Sequence, residues 1–439
     1  MTAKTTFELL REYESRNVTF MEPDGSWPIV WRRARGVYVW DSEGKRYLDL
    51  TAAFGVAACG HANAGVVQAG RKQMGKLLHA MGDVHPHSLK AQLARELSRV
   101  TFERWSRGKK KQSGKTIFCN SGFEAVEAAL KTAVLATGKS GVIAFRNAYH
   151  GLGYGSLNVT ARDHFRGPFL SQLNQFGHFV DFPAPRKEAG GQADLKRVEK
   201  QILSVVRRHK VGAILVEPIQ VRGGINIPPP TFLRLLRKIC DRHELVLILD
   251  EIYTGFGRTG KWFACEHSAT VPDIICLGKA LTGGFPLSAC VGKKELLDQA
   301  WPATTGEAIH TSTFLGHPVG CAMALAQIQE LPQWIAPSAS LGKWLLAGLG
   351  KLEGSHPTLK ISARGVGLLA GLELRHEDGS PATNECLQIT RQLLRLGFIL
   401  LPEGEHGNVL SFSPPLTISR QQLGRVLTAL KQILEGGAI

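Results

Sequence analysis

LVLILDEIYTGFGRTGKWFACEHSATVPDIICLGKALTGGFPLSACVG (Leu245–Gly292) holds three short apolar runs. The first ends on Asp250, and the second, DIICLG, is followed at once by Lys279. Apolar runs of this length read as strands buried on both faces. Asp250 and Lys279 then stand at the ends of buried strands. A buried carboxylate needs a partner. It is either half of a structural ion pair or cap, or an acid held against a protonated ring nitrogen. A lysine placed there either snorkels to water or stays desolvated, with a lowered pKa, as a Schiff-base nucleophile.

Outward from this stretch the chain alternates strands and helices. Further strand candidates are Thr116–Asn120, Gly141–Phe145 and Gly212–Pro218. Phe232–His243 (FLRLLRKICDRH) repeats its apolar residues at three and four, as a crossover helix does. The alternation predicts an α/β fold with a mainly parallel sheet covered on both faces. Ligands of such sheets bind beyond the carboxyl ends of the strands. Before this region, Val37–Leu50 reads as a hairpin turning at Asp41–Gly44. After Gly320 come helices, short strands near Leu368–Leu374 and Gly397–Pro402, and a terminal helix. That change predicts a smaller α+β domain.

A third chemical feature precedes these. The strand TIFCN runs into Ser121-Gly122-Phe123 and a helix with apolar residues at 123, 126, 130 and 134. The first turn of a helix offers N–H groups without helical acceptors, which suits a phosphate. The plainer alternative is a serine N-cap. A phosphate cup, a carboxylate for a pyridinium nitrogen and a buried amine, each at a strand end, are the parts that pyridoxal 5'-phosphate (PLP) needs.

The 439 residues, 44% of them hydrophobic and 21% charged, are too many for one simple domain. No apolar run approaches a bilayer span, and the N-terminus lacks a signal-peptide apolar segment. A cytoplasmic enzyme is expected. The eight cysteines form no C-x-x-C pair and read as small buried hydrophobes in a reducing compartment, with no metal site. The net charge is +16. Its densest run, Arg107–Lys115, has no aromatic interleaving and no helix-turn-helix beside it, so it reads as a solvated loop rather than a nucleic-acid contact.

Asp250–Ala289 resembles the signature of the class III (subgroup II, fold type I) aminotransferases, the family of the ornithine, acetylornithine and 4-aminobutyrate aminotransferases. NSGFEAVEAALK (Asn120–Lys131), AYHG (Ala148–Gly151), EPIQ (Glu217–Gln220), HTSTFLGHP (His310–Pro318), RGVGLL (Arg364–Leu369) and SPPL (Ser413–Leu416) follow in the family's order. The resemblance implies a large PLP domain over 59–325 with a seven-stranded sheet. A small domain would be built from 1–58 and 326–439. It also implies a homodimer with shared sites. Lys279 would carry the cofactor and then move the proton, and Asp250 would pair with the pyridinium nitrogen. Ser121, Gly122 and Phe123 would hold the phosphate, with Thr313 reaching the neighbouring subunit's phosphate. Tyr149 and Ile252 would flank the ring, and His150, Glu217 and Tyr253 would complete the cofactor contacts. The implied reaction moves an amino group from an amine or amino acid to a 2-oxo acid. A racemase, epimerase or aminomutase would share Lys279 and Asp250. A nucleic-acid or regulatory binding protein on a non-catalytic PLP fold is the reading from another class.

The chain departs from the family around the substrate. Tyr253 stands where the family often has glutamine. Ser411 replaces the arginine that binds the α-carboxylate in ornithine-type members, and Arg222 replaces the glutamate that masks that arginine. Pro402–Asn408 lacks the mobile arginine of amine transaminases. Leu152 follows Gly151 where 4-aminobutyrate aminotransferases have arginine, and Phe54 stands in place of a tyrosine. Plain ornithine or 4-aminobutyrate chemistry is therefore not expected. Arg222 is the candidate for a relocated carboxylate clamp, against the alternatives of facing solvent or pairing with Glu403 or Glu405.

Overall fold

The computed structural model describes residues 2–22, 26–106, 112–183 and 191–436. Its centre is a seven-stranded sheet in the spatial order Gly114–Cys119, Ser288–Lys293, Ile274–Leu277, Val246–Asp250, Val211–Val216, Gly141–Phe145, Gly177–Val180. Ser288–Lys293 runs antiparallel to both of its neighbours; the other pairings are parallel. The sheet is thus mainly parallel, and the side chains of each strand alternate between two cores. Val246, Ile248, Ile274 and Cys276 face the helix Gly122–Thr137 in one core. Leu247, Leu249, Ile275 and Leu277 face Phe232 and Leu236 of the helix Phe232–His243 in the other.

The covering helices follow from their sequences. Phe232–His243 buries Phe232, Leu233, Leu236, Ile239 and Cys240, the stripe its spacing predicts. Gly122–Thr137 differs from its predicted stripe. Val126 and Leu130 are buried, but Phe123 and Val134 are exposed. The packed face is made instead by Ala125, Ala128, Ala129 and Ala133, whose small side chains bring the helix axis close to the sheet. The helix stops at Gly138, which takes the left-handed conformation at φ +65°.

Two smaller sheets flank the large one. Trp31–Arg35, Tyr38–Asp41 and Arg46–Asp49 form an antiparallel set, and Phe398–Ile399 adds in parallel beside Arg46–Asp49. The second sheet is antiparallel, in the order Leu359–Val366, Leu369–His376, Val409–Phe412, Leu401–Glu403. The expected hairpin, C-terminal strands and terminal helix Arg420–Leu434 are present. Among the described residues no helix is long and apolar enough to cross a membrane, and no acid, His or Cys cluster could hold a metal. All eight cysteines are buried and unpaired. Residues 107–111 of the lysine-rich run lie outside the described residues.

Two of the recognised motifs lock into each other. Leu368 N donates to the Arg258 carbonyl at 3.0 Å, and the buried Arg258 guanidinium donates back to the Leu368 carbonyl at 3.0 Å and to the Pro414 carbonyl. Gly367, at φ +60°, sits so close that a Cβ would fall 2.4 Å from the Thr259 carbonyl carbon. Gly342 of the helix Pro332–Gly350 closes the stack: a Cβ there would lie 2.0 Å from the Gly367 oxygen. That contact is backbone and cannot step aside. Gly342→Ala should therefore destabilise the protein by roughly 1–3 kcal/mol through overpacking, read as a lower thermal unfolding midpoint. An unchanged midpoint would show that the helix can shift.

Candidate active site

Five parallel strands of the large sheet, four of them adjacent, deliver their carboxyl ends to one cleft of about 400 Å³. Val246–Asp250 ends on Asp250, Ile274–Leu277 leads to Lys279, Val211–Val216 leads to Glu217, and Gly141–Phe145 leads to Tyr149 and His150. Gly114–Cys119 leads through Ser121 into the helix that begins at Gly122. The cleft is lined by Lys279, Asp250, Glu217, Tyr149, His150 and Gly122, with Phe123, Arg222, Ile252 and Tyr253 completing the wall alongside Gly151, Leu152 and Thr254.

Asp250 is buried at the floor. Its Oδ2 lies 2.8 Å from His150 Nδ1, and its Oδ1 accepts from Ile252 N at 3.1 Å. The carboxylate fixes a proton on Nδ1, and His150 N is held by Thr160 Oγ1 at 2.9 Å. Lys279 follows Gly278 in a left-handed turn at φ +44°, a conformation that a lysine adopts rarely. The turn aims its ammonium inward, 4.6 Å from the centroid of the Tyr253 ring. Burial pulls the Lys279 pKa below its ordinary value. The Asp250 and Glu217 carboxylates pull it back up, and Arg222 pushes it further down.

Glu217 accepts from Tyr149 N at 3.0 Å and Val221 N at 3.2 Å. Burial raises it to about 7, and the neighbouring Asp250 adds to the rise against His150 and the two N–H groups. Tyr253 donates or accepts at Ser413 Oγ, 3.0 Å away, and burial pushes its hydroxyl up to about 12. Behind Tyr253 the chain 52–55 turns through four left-handed residues, Ala52, Ala53, Phe54 and Gly55. Gly55 is required there, because a Cβ would fall 2.8 Å from Tyr253 Cε1. The buried Asp49 carboxylate pins the turn, accepting from Thr51 N, Thr51 Oγ1, Ala53 N and His61 Nε2 at 2.6–3.1 Å.

At the outer wall the Arg222 guanidinium lies over the Tyr149 ring, 4.9 Å from its centroid, and its Nε is 3.4 Å from Glu403 Oε2. Arg222 thus both lines the cleft and pairs with Glu403, while Glu405 is exposed. Arg162, which the sequence did not single out, donates to the carbonyls of Arg222 and Gly404 at 3.4 and 3.3 Å. Four expected residues lie apart from the cleft lining, the first being Ser121, just before the helix that begins at Gly122. Ser411 is buried within its sheet opposite Gly371 and Leu401. Phe54 is half-exposed, and Thr313 is exposed on the turn that precedes the helix Pro318–Glu330.

The residues present fit PLP. Ser121 Oγ is buried with no partner beside the first turn of the helix Gly122–Thr137, and His150 Nε2 is likewise unpartnered. Glu124 caps the same end, taking Asn120 N at 2.6 Å. Gly122 presses on Ile252, since a Cβ there would meet Ile252 Cδ1 at 3.0 Å. Groups suited to a phosphate, an acid and an amine are therefore present at one cleft.

The raised Glu217 pKa sets a pH dependence. Between its ordinary value of 4.5 and about 7, the folded protein holds a proton that the unfolded chain has released. Stability from this group therefore falls as pH rises through that window and is level above it. Glu217→Gln removes the effect, so its unfolding midpoint should decline less than that of the unaltered protein over the same window. Parallel declines would show that Glu217 ionises freely when folded.

Comparison with known proteins agrees with this geometry. The family model for class-III aminotransferases matches residues 20–434. The chain is 38% identical over 416 residues to the putrescine aminotransferase of Pectobacterium atrosepticum, covering 93% of this chain and 82% of that one. It is 33% identical over 414 residues to the acetylornithine aminotransferase of Methanosarcina mazei, covering 94% and 93%. The PLP-bound amine transaminase of an uncultivated Pseudomonas species matches with a TM-score of 0.88 at 27% identity, covering 97% of this chain and 99% of that one. A match of that extent, to a chain whose cleft holds these groups, makes this protein a member of the class-III aminotransferase family, PLP-dependent enzymes of fold type I.

Proposed function

We propose that this aminotransferase moves an amino group from an amine or amino acid to a 2-oxo acid through Lys279 and Asp250. The observation that carries the reading is the convergence of this half-buried amine and this buried carboxylate on one cleft from neighbouring strand ends. Bound PLP supplies an electron sink for the substrate carbon. Lys279 Nζ would hold the cofactor and would carry the proton to and from that carbon. Its lowered pKa favours the neutral amine, which is the form that acts as nucleophile and base. Asp250, oriented by His150 Nδ1 and Ile252 N, holds the ring nitrogen protonated. Ser121 Oγ and the N–H groups of Gly122 and Phe123 take the phosphate. Tyr149 and Ile252 would hold the ring from its two faces, and Glu217 and Tyr253 would border it.

The exposed Thr313 is assigned to the phosphate of a partner subunit's cofactor, which makes the active species a homodimer with shared sites. Residues 59–325 are assigned to the large domain, and 1–58 with 326–439 to the small one. The pairing of Phe398–Ile399 with Arg46–Asp49 supports joining the two chain ends. The eight buried unpaired cysteines support a reducing, cytoplasmic setting.

For the 2-oxo acid we assign the carboxylate to Arg222. It lines the cleft, whereas Ser411, at the position of the ornithine-type arginine, is buried and is not among the lining residues. The relative from Pectobacterium atrosepticum is a putrescine aminotransferase, which makes diamines the first donors to test.

Two experiments check these roles. Borohydride reduction and peptide mapping should find the cofactor on Lys279. Lys279→Ala should carry no adduct and lose amino transfer by at least about a hundredfold; normal turnover would overturn the assignment. Arg222→Ala should raise KM for the 2-oxo acid by about tenfold to a hundredfold, the loss expected for a charge-assisted hydrogen bond. An unchanged KM would place the carboxylate elsewhere.

A further inference from the structure

Tyr253 lines the cleft beside Lys279, and its ring and its hydroxyl are held by different things. The ring is wedged in place. Gly55 leaves it room, since a Cβ there would fall 2.8 Å from Tyr253 Cε1 and 3.2 Å from Cδ1. The ring also packs against a small apolar cluster that includes Val221 and Val409. The hydroxyl has a fixed partner. Ser413 Oγ lies 3.0 Å from it and 3.2 Å from the Thr51 carbonyl oxygen. A carbonyl can only accept, so the single proton of Ser413 goes to Thr51, and Tyr253 is the donor to Ser413. The same Thr51 carbonyl takes Gly55 N at 2.8 Å, so the relay ends on the turn that shapes the ring's seat. With its proton committed there, the Tyr253 hydroxyl has none to give a bound cofactor.

Among the described residues Lys279 Nζ makes no hydrogen bond or ion pair; its partner is the Tyr253 ring, whose centroid lies 4.6 Å away. An aromatic face attracts a cation through its quadrupole, and most strongly where water is kept out. We propose that Tyr253 is a positioning residue that works through its ring and not its hydroxyl: the ring face holds positive charge on Lys279 Nζ, both in the free amine and in the cofactor-linked state, while the hydroxyl is anchored away on Ser413. The proposal rests on Lys279 as the residue that carries the cofactor. The charge at Nζ is set by opposing neighbours. Burial draws it off and Arg222 acts with burial, whereas Asp250, Glu217 and Glu403 favour it. The ring face joins the acids without adding a charge of its own. A linked nitrogen that stays positive keeps the adjoining cofactor carbon open to attack by an incoming amine.

The test separates ring from hydroxyl by a titration that needs no turnover. In the PLP-loaded protein, without substrate, the visible absorbance of the linked cofactor is followed against pH, and its midpoint reports the loss of the proton at Nζ. Tyr253→Phe keeps the ring and should leave the midpoint unchanged. A hydroxyl that donated to the cofactor's ring oxygen would have favoured the deprotonated form, so a rise in Tyr253→Phe overturns the proposal. Tyr253→Leu removes the ring face and should lower the midpoint by about one pH unit, the size of a desolvated cation–π contact. If the ring served only to exclude water, its loss would raise the midpoint instead; a rise or no change in Tyr253→Leu overturns the proposal. If that variant does not fold, Tyr253→Met, of similar reach and without a ring, is held to the same outcomes. Failure of the Lys279 reading shows separately, as a borohydride adduct mapped to another residue.

Discussion

The arrangement depends on keeping an amine and several carboxylates out of water together. Lys279, Asp250, Glu217 and Glu403 would each be costly to bury alone. Lys279, Asp250 and Glu217, placed at neighbouring strand ends, compensate one another, and the two carboxylates take their hydrogen bonds from His150 and from backbone N–H groups. The parallel sheet makes this possible because it stacks strand termini at one edge. The apolar strands behind them exclude solvent, and that exclusion shifts Lys279 down and Glu217 up.

The outer wall obeys a different rule. The floor groups are held by backbone donors or by the His150 imidazole, so their positions are set by the fold. Arg222 and Glu403 are held mainly by each other. The fixed part of the site suits chemistry common to the family, and the side-chain pair is where substrate preference can vary with few substitutions.

Much of this was legible in the sequence, for physical reasons. The inner strands are apolar because both faces are covered, so Val246–Asp250 and Ile274–Leu277 stood out, with their terminal charges exposed to reading. Gly177–Val180 did not, because an edge strand with the sequence GHFV carries little apolar signal. Trp31–Arg35 is charged and exposed and gave none. In the helix Gly122–Thr137 the large residues misled, because close packing on a sheet selects alanine. Arg162 and the left-handed run 52–55 were invisible, since both depend on contacts between distant segments. Glu403 was foreseen only as an alternative partner for Arg222.

The eight cysteines, spread from position 59 to position 386, have a consequence for how the folded state can be watched. Burial raises every one of these thiols above its ordinary pKa, so little reactive thiolate exists in the native protein. A thiol reagent must wait for an opening of the surrounding structure. Cys276 and Cys290 lie in the central sheet, Cys386 in a helix near the carboxyl end, and Cys59 close to the amino-terminal turn. The protein therefore carries its own set of reporters, spread over its regions, whose order of labelling records the order in which the layers come apart.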